Sequence, residues 1–205
     1  MEAQLSKLIR AIGTRDSEDA LQLLAASPVL AHEALDTGAT RSAAKAFFFG
    51  DIGHYVYQGD TALHVAAASY DTRVMRKLLA LGADVHAVNR RGAQPLHYAS
   101  DGHPNSPCWK PRAQAAVIAL LIAGGADPNA RDKTGVTPLH RAVRTRCADA
   151  VRALLEGGAD PVLKNGNGAT PMDLALKATG RGGSGSPQAK AQQAAIIRLL
   201  NGDLK

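Results

Sequence analysis

A six-residue phrase recurs four times along the chain and constrains its fold more than any other feature. It reads TALHVA from Thr61, QPLHYA from Gln94, TPLHRA from Thr137 and TPMDLA from Thr170, with starts 33, 43 and 33 residues apart. In the Thr137 copy, threonine is a suitable helix N-cap, and the proline after it takes the first helical position, where a missing backbone N–H costs nothing. Each copy therefore predicts the start of a helix.

A second apolar stretch and a glycine turn follow these starts. RVMRKLL covers 73–79 and AVRALL covers 150–155, and Gly-Ala-Asp triplets begin at Gly82, Gly125 and Gly158. Glycine adopts the left-handed conformation that ends many helices more easily than any other residue. The sequence thus predicts pairs of helices joined by short turns, and a period of 33 residues is typical of repeats that stack side by side.

This period and this motif resemble those of the ankyrin repeat family. The four tetrapeptides at 61–64, 94–97, 137–140 and 170–173 match the family's TPLH motif, and the resemblance covers residues 59–205. It implies an all-α solenoid of helix-turn-helix units with short β-turn fingers. The four repeats implied lie at about 59–91, 92–134, 135–167 and 168–205.

Two of these repeats are longer than the others. Counting from the motif to the second helix places ten extra residues in the second repeat and twelve in the fourth. Both insertions are rich in Pro, Gly and Ser, so we expect loops between the two helices, at 101–114 and 179–190. Both are expected to leave the same edge and to flank the turn at 144–146 of the third repeat. We therefore expect them to form walls about 20 Å apart, two helix-packing distances, around a basic floor.

Residues 1–58 match the motif poorly. Leu5, Leu8, Ile9 and Ile12 share one helical face, and a further apolar stretch runs over 20–24. We interpret this region as a degenerate N-terminal helical cap or repeat. Within it, the three phenylalanines at 47–49 are expected to end a helix, and HYVY at 54–57 is expected to extend into the first finger.

Composition agrees with a helical protein that is not a membrane protein. Hydrophobic residues make up 45% of the 205 residues but aromatic residues only 4%, so the interior must consist mainly of Ala, Leu, Val and Ile. The start of the chain lacks the apolar segment of a secretory signal, and no run approaches 18 apolar residues. We therefore expect a cytoplasmic protein, in which Cys108 and Cys147 stay reduced even if they lie close together.

Few residues point to catalysis or metal binding. His64, His97 and His140 end three of the motifs, and in the ankyrin family this histidine links neighbouring repeats by hydrogen bonds. His97, His103 and Cys108 are loosely spaced and include no CxxC or HxxxH pair, so we expect no metal site. The chain also lacks phosphate-binding and nucleophile motifs. We expect no cofactor and no enzymatic activity.

Basic residues occupy the positions where the family binds its partners. The formal charge is +6, which favours acidic partners. In similar ankyrin proteins, contact positions flank the fingertip Asp or Asn and lie at the ends of the first helices. The resemblance assigns Arg90, Arg91, Arg131, Lys133 and Lys164 to the fingertips, Arg144 and Lys177 to the helix ends, and Arg146 to the turn of the third repeat.

Each of these assignments has a simpler alternative. Basic side chains on an exposed edge also serve solubility alone. Trp109, the only tryptophan, is either an exposed anchor for a partner or a side chain tucked under its own loop.

The chain departs from the family pattern at three positions. Tyr70 and Arg146 follow the first helices of their repeats, where the family usually has glycine, at a cost of about 1 kcal/mol if the left-handed conformation is kept. Asp173 replaces the motif histidine, which puts the last inter-repeat hydrogen bond in question.

The sequence thus predicts a non-enzymatic protein–protein interaction module. Its partner would be a protein with an acidic surface, bound through the basic fingertips and the concave face. The alternative is a binder of nucleic acid or of an anionic small ligand, which would use the same arginines as phosphate contacts. No association with a membrane is expected.

Overall fold

The structure, a computed structural model, describes residues 2–102, 109–177 and 186–203. These ranges contain ten α-helices: α1 (Glu2–Gly13), α2 (Ser17–Ala26), α3 (Ala62–Ser69), α4 (Thr72–Ala80), α5 (Pro95–Ser100), α6 (Pro111–Ala123), α7 (Pro138–Arg144), α8 (Ala148–Glu156), α9 (Pro171–Leu176) and α10 (Pro187–Leu200). Two short 3₁₀ turns, Pro28–Ala31 and Lys45–Phe47, and two strands, β1 (Phe48–Phe49) and β2 (His54–Tyr55), lie between α2 and α3. None of the helices in these ranges is long and apolar enough to cross a membrane.

The recurring motif starts a helix in all four places, as predicted. Thr61, Gln94, Thr137 and Thr170 have extended backbones and act as N-caps for α3, α5, α7 and α9. In the first three motifs the histidine accepts a hydrogen bond at Nδ1 from the N-cap N–H, with N···N distances of 3.1–3.3 Å. The motif therefore closes the first turn of its own helix, as in a capping box.

Residues with positive φ follow most of the helices, whereas α2, α5 and α9 end at residues with negative φ. Gly82, Gly125 and Gly158 follow the second helices with φ of 80°, 96° and 91°. Tyr70 and Arg146 follow α3 and α7 with φ of 57° each, so the left-handed conformation is kept without glycine. Arg15, between α1 and α2, has φ of 63°. The α1–α2 pair thus turns in the same way as two of the repeats that follow it.

The helices stack in two rows. Helices α1, α3, α5, α7 and α9 contact one another in that order, and α2, α4, α6, α8 and α10 form the second row. Leu63, Leu96 and Leu139 are fully buried at equivalent places in the first row, and Met172 packs against the same core while partly exposed. The chain is therefore an all-α solenoid, and α1 and α2 pack against its first repeat.

The two insertions differ in extent from the prediction. Helix α6 begins at Pro111, inside the predicted loop 101–114, and α10 begins at Pro187, inside the predicted loop 179–190. Alanine and glutamine follow both prolines and favour helix, so part of each insertion lengthens a helix to 13 or 14 residues, against 9 in α4 and α8. His103, Cys108 and parts of both predicted walls, at 103–108 and 179–185, lie outside the described residues.

The segment between α2 and α3 also differs from the prediction. Phe47 ends a 3₁₀ turn, but Phe48 and Phe49 form β1, which pairs antiparallel with β2 in the register Phe48↔Tyr55 and Phe49↔His54. Three consecutive aromatic residues suit a strand better than one helix face. The intervening GDIG sequence is a hairpin signal that the sequence analysis missed.

Candidate functional site

Three fingers share one turn. The side-chain oxygens of Asn89, Asp132 and Asn165 each accept hydrogen bonds from the backbone N–H groups two and four residues further on, at 2.9–3.2 Å. Gly92 and Gly135 have φ of 73° and 71°, which completes the first two turns. The Asn or Asp that the family places at each fingertip therefore stabilises its own turn, and the residues beside it are left to contact a partner.

Backbone hydrogen bonds join each finger to the next. The amide of Arg90 donates to Gln58 O at 2.8 Å, that of Lys133 to Arg91 O at 3.0 Å, and that of Gly166 to Thr134 O at 2.9 Å. These bonds place the predicted fingertip cations on one continuous edge. We call this set the fingertip row; its exposed members are Arg90, Arg91, Arg131, Lys133 and Lys164.

Three members of the row are held by neighbouring groups. The guanidinium carbons of Arg90 and Arg91 lie 5.4 and 5.2 Å from the centre of the Tyr57 ring. Arg90 also donates to Ala39 O, and Arg91 donates to the Tyr57 hydroxyl at 3.3 Å. Arg131 Nη1 donates to Lys164 O at 2.7 Å. These contacts orient the side chains while leaving them exposed to solvent.

The remaining predicted binding residues have different surroundings. Arg144 ends α7 with a side chain that is 41% exposed, and its Nη2 lies 3.5 Å from Asp101 Oδ1. Lys177 is exposed directly after α9. Arg146 is only 4% exposed and donates to Lys177 O at 3.4 Å, so the expectation of an accessible Arg146 needs correction. Its place in the tight left-handed turn puts the side chain inside the stack.

Trp109 is only partly exposed, and the loop that precedes it lies outside the described residues. The side chain is partly buried against the core, and its indole Nε1 donates to Gln114 Oε1 at 3.1 Å. Gln114 in turn donates to Ala99 O at 2.9 Å. The tryptophan is therefore tucked against the start of α6, with part of its surface facing the groove described next.

A groove of about 530 Å³ lies beside the fingertip row. The β1–β2 hairpin lines it together with the end of α3, α5, α7, Trp109 and the fingers of Asn89 and Asp132. The residues that decide its chemistry are Tyr57, Tyr98, Asp101, Trp109, Arg141 and Arg144. Its volume falls in the range of about 300–1,000 Å³ that is usual for ligand sites. Sequence reasoning did not find this groove, because its hairpin side lies in the region where the motif is absent.

A buried arginine forms the charged floor of the groove. Arg141 is 8% exposed, and its guanidinium lies 2.9 Å from Asp101 Oδ2 and 3.0 Å from Asp132 Oδ2. Burial alone would raise the pKa of Asp101, but the charge of Arg141, the hydrogen bond from His54 and the charge of Arg144 together outweigh it and hold that pKa well below its usual value. Burial is likewise outweighed at Asp132, where hydrogen bonds from Thr134 and Arg141 lower the pKa. Both carboxylates are thus ionised at neutral pH and paired with Arg141.

A buried polar network supports the groove from behind. Asp60 is fully buried and accepts hydrogen bonds from the Tyr98 hydroxyl at 2.6 Å, from Asn89 Nδ2 at 2.8 Å and from the Tyr57 amide at 2.6 Å. The His54 ring lies 4.2 Å from the Tyr98 ring, centre to centre. Asp60 therefore fixes residues of the hairpin side, a finger and α5 to one another.

The motif histidines are structural, as the resemblance implied. Nε2 of His64, His97 and His140 lies 3.0–3.1 Å from a carbonyl oxygen of the next unit, on Ala93, Val136 and Ala169 respectively. Burial lowers the pKa of all three, to about 4 for His97, so each ring is neutral and donates from Nε2. Asp173 accepts instead from the amide and the hydroxyl of its own Thr170.

The described residues offer neither a metal-binding cluster nor a reactive thiol. Within the described ranges, no group of three or more His, Cys, Asp or Glu side chains is arranged to hold a metal ion. Burial raises the pKa of the Cys147 thiol to about 12, which leaves it protonated and unreactive. The hydrogen bonds of His64, His97 and His140 join neighbouring repeats.

Stacked helix pairs with a row of turns along one edge define a repeat protein of the solenoid class. The ankyrin repeat model matches residues 58–90 and 91–133, and the model for ankyrin repeats in many copies matches residues 120–175. These matches together cover more than half of the chain, which belongs to the ankyrin repeat family. No curated protein matches the chain significantly. Ankyrin repeats are general protein–protein interaction modules and are typically not catalytic.

Proposed function

We propose that this protein is a non-enzymatic interaction module that binds a protein with an acidic surface through the fingertip row, together with Arg144 and Lys177. The observation that carries the proposal is the backbone hydrogen bonding between fingers, which aligns five exposed cations along one edge. Because Arg90, Arg91 and Arg131 are already oriented by neighbours, less side-chain entropy is lost when they pair with carboxylates.

Acidic residues near the row do not cancel its charge. Asp132 is the acid of the finger that carries Arg131 and Lys133, and its oxygens are occupied by Arg141, Thr134 and the turn amides. The same pairing with Arg141 supports a non-catalytic role, since Asp101 and Asp132 with lowered pKa values are poor general bases.

Charge reversal at three fingertip positions tests the proposal. A variant carrying Arg91→Glu, Arg131→Glu and Lys133→Glu would be compared with a control carrying Lys7→Glu, Arg10→Glu and Arg76→Glu, all exposed on helices α1 and α4. Proteins captured from a lysate of the native host would be identified by mass spectrometry. We expect wild type and control to retain the same acidic protein and the fingertip variant to lose it, with unchanged circular dichroism.

If the fingertip variant still captures that protein, the fingertip row is not part of the binding site. The nucleic-acid alternative is tested on the same three proteins with single- and double-stranded RNA and DNA. Binding tighter than about 1 µM at physiological salt, independent of sequence, would favour nucleic acid over an acidic protein. Salt dependence alone does not separate the two, because both partners would be anionic.

A further inference from the structure

The groove is lined by aromatic side chains from two parts of the chain. The hairpin contributes Phe48, His54 and Tyr55, and the repeats contribute Tyr70 and Trp109. The hairpin is fastened in place, since Arg15 Nε donates to Asp51 O at 3.0 Å and the His54 ring lies against Tyr98. The groove is therefore formed in advance of any ligand.

An aromatic pair at the mouth of the groove is exposed. Phe48 and Tyr55 are 44% and 39% exposed, and their ring centres lie 4.7 Å apart. Tyr57, with Arg91 above it, continues this surface toward the fingertip row. Tyrosine and arginine are the residue types that most often carry binding energy at protein interfaces.

The groove has more positive than negative charge, and its carboxylates are already paired. Its lining includes Arg91, Arg141 and Arg144 against Asp101 and Asp132, and both carboxylates are bound by Arg141. Arg144 has one long contact with Asp101, and the Nε groups of Arg141 and Arg144 are buried without an acceptor among the described residues. The groove is thus short of acceptors rather than donors.

We propose that the groove binds an extended segment of a protein partner in which an aromatic side chain is flanked by carboxylates. The aromatic ring would lie between Tyr55 and Trp109, and the carboxylates would pair with Arg144 inside the groove and with Arg91 at its mouth. This inference rests on the proposed function, because the fingertip row would attract the acidic partner while the groove selects its sequence. A basic segment would meet three arginines whose neighbouring carboxylates are already paired.

Trp109 provides a direct readout. It is the only tryptophan in the chain and lines the groove, so its fluorescence reports occupancy. The probe is an acetylated and amidated peptide with phenylalanine between two pairs of glutamates. We expect a saturable change in emission, and binding weaker by about tenfold or more when lysine replaces glutamate or when serine replaces phenylalanine.

Substitutions at side chains that are largely outside the core test the groove without disturbing the fold. Tyr55→Ala and Arg144→Gln are each expected to weaken peptide binding by about tenfold. The control Val162→Ala removes a side chain that is 71% exposed, lies three residues before the finger of Asn165 and does not line the groove, so it should leave binding unchanged. Circular dichroism would confirm that all three variants keep their helical content.

Three results would overturn the inference: no emission change with the acidic peptide, equal binding of the lysine peptide, or undiminished binding by Tyr55→Ala. Tighter binding of a single-stranded RNA, weakened by the same variants, would also overturn it in favour of nucleic acid. The double variant Arg131→Glu and Lys133→Glu lies outside the groove lining and separates this inference from the proposed function. If the double variant loses the partner protein but the peptide does not bind to wild type, only the groove inference fails. If the double variant keeps the partner protein and the peptide binds to wild type, only the fingertip proposal fails.

Discussion

The Asp60 side chain is fully closed to solvent. Its carboxylate accepts from a hydroxyl, a side-chain amide and a backbone amide, so every donor near it is satisfied. Removal of the carboxylate would leave the Tyr98 hydroxyl and the Tyr57 amide without their acceptor, and Asn89 Nδ2 would keep only the Tyr98 hydroxyl. An unsatisfied buried group costs about 1–3 kcal/mol.

We therefore expect Asp60→Ala to lower the free energy of unfolding by about 3–5 kcal/mol, since at least two donors lose their partner. Urea denaturation followed by circular dichroism measures this change. Asp84→Ala is the matched control, because Asp84 is exposed and accepts one turn hydrogen bond, from the His86 amide. A loss below about 1 kcal/mol for Asp60→Ala would show that Asp60 does not hold the hairpin side to α5.

His97 makes stability depend on pH. Burial lowers its pKa from 6.5 to about 4, so between these values the unfolded chain binds a proton that the folded chain does not. The stabilisation is complete above about pH 6.5 and is lost as the pH falls toward 4, a change of about 3 kcal/mol from this residue. His64 and His140, also with lowered pKa values, act in the same direction.

Urea titrations at several pH values in this window test the effect. We expect the free energy of unfolding to fall as pH falls, and His97→Asn to reduce the slope by up to one proton, about 1.4 kcal/mol per pH unit. A flat profile in wild type would contradict the assignment of neutral, buried histidines.

The helices of the first row depend on their neighbours for burial. Helix α7 lies between α5 and α9, and Leu139 on it is fully buried. Leu139→Ala is expected to lower the free energy of unfolding by about 2–5 kcal/mol, as expected for loss of a buried leucine side chain. Leu176→Ala on α9 is the control, since Leu176 is 62% exposed. A loss below about 0.5 kcal/mol at Leu139 would contradict its place in the core.

Features that recur in every repeat could be predicted from the sequence, whereas contacts between residues far apart in the chain could not. Caps, glycine turns and motif histidines recur at fixed spacing, so their positions could be read from the sequence. Arg141 instead occupies the motif position that carries Val65 and Tyr98 in the preceding repeats. Its burial depends on Asp101 and Asp132, which other parts of the fold bring to it. No local pattern specifies such a contact.

The candidate site shows the same division. The fingertip cations follow from the repeat, because each finger uses the same turn. The groove depends on a hairpin that precedes the first family match, which begins at residue 58, and on Trp109, whose orientation is set by Gln114. Aromatic residues at 48, 55 and 57 carried a hairpin signal but no indication of which helices they would face.

At the scale of the whole molecule, the binding surface crosses the boundary between the N-terminal segment and the matched repeats. Tyr57 orients Arg90 and Arg91, and Asp60 ties that part of the chain to α5. The repeats supply the fingertip row and the floor of the groove, and the N-terminal segment supplies one side. The proposed functional unit is therefore larger than the part of the chain that the family models match.

Stability should fall toward the C-terminal end of the stack, because each unit is buried by the units on both sides of it. All residues of α5 are buried, whereas in α9 only Pro171 and Ala175 are. His140 makes the last histidine bond between units, and Asp173 hydrogen-bonds within its own motif. We expect the amides of α9 to exchange with solvent at least about tenfold faster than those of α5 in native-state hydrogen exchange. Equal rates in both helices would mean that the stack opens only as a whole, and that its last repeat is as firmly held as its centre.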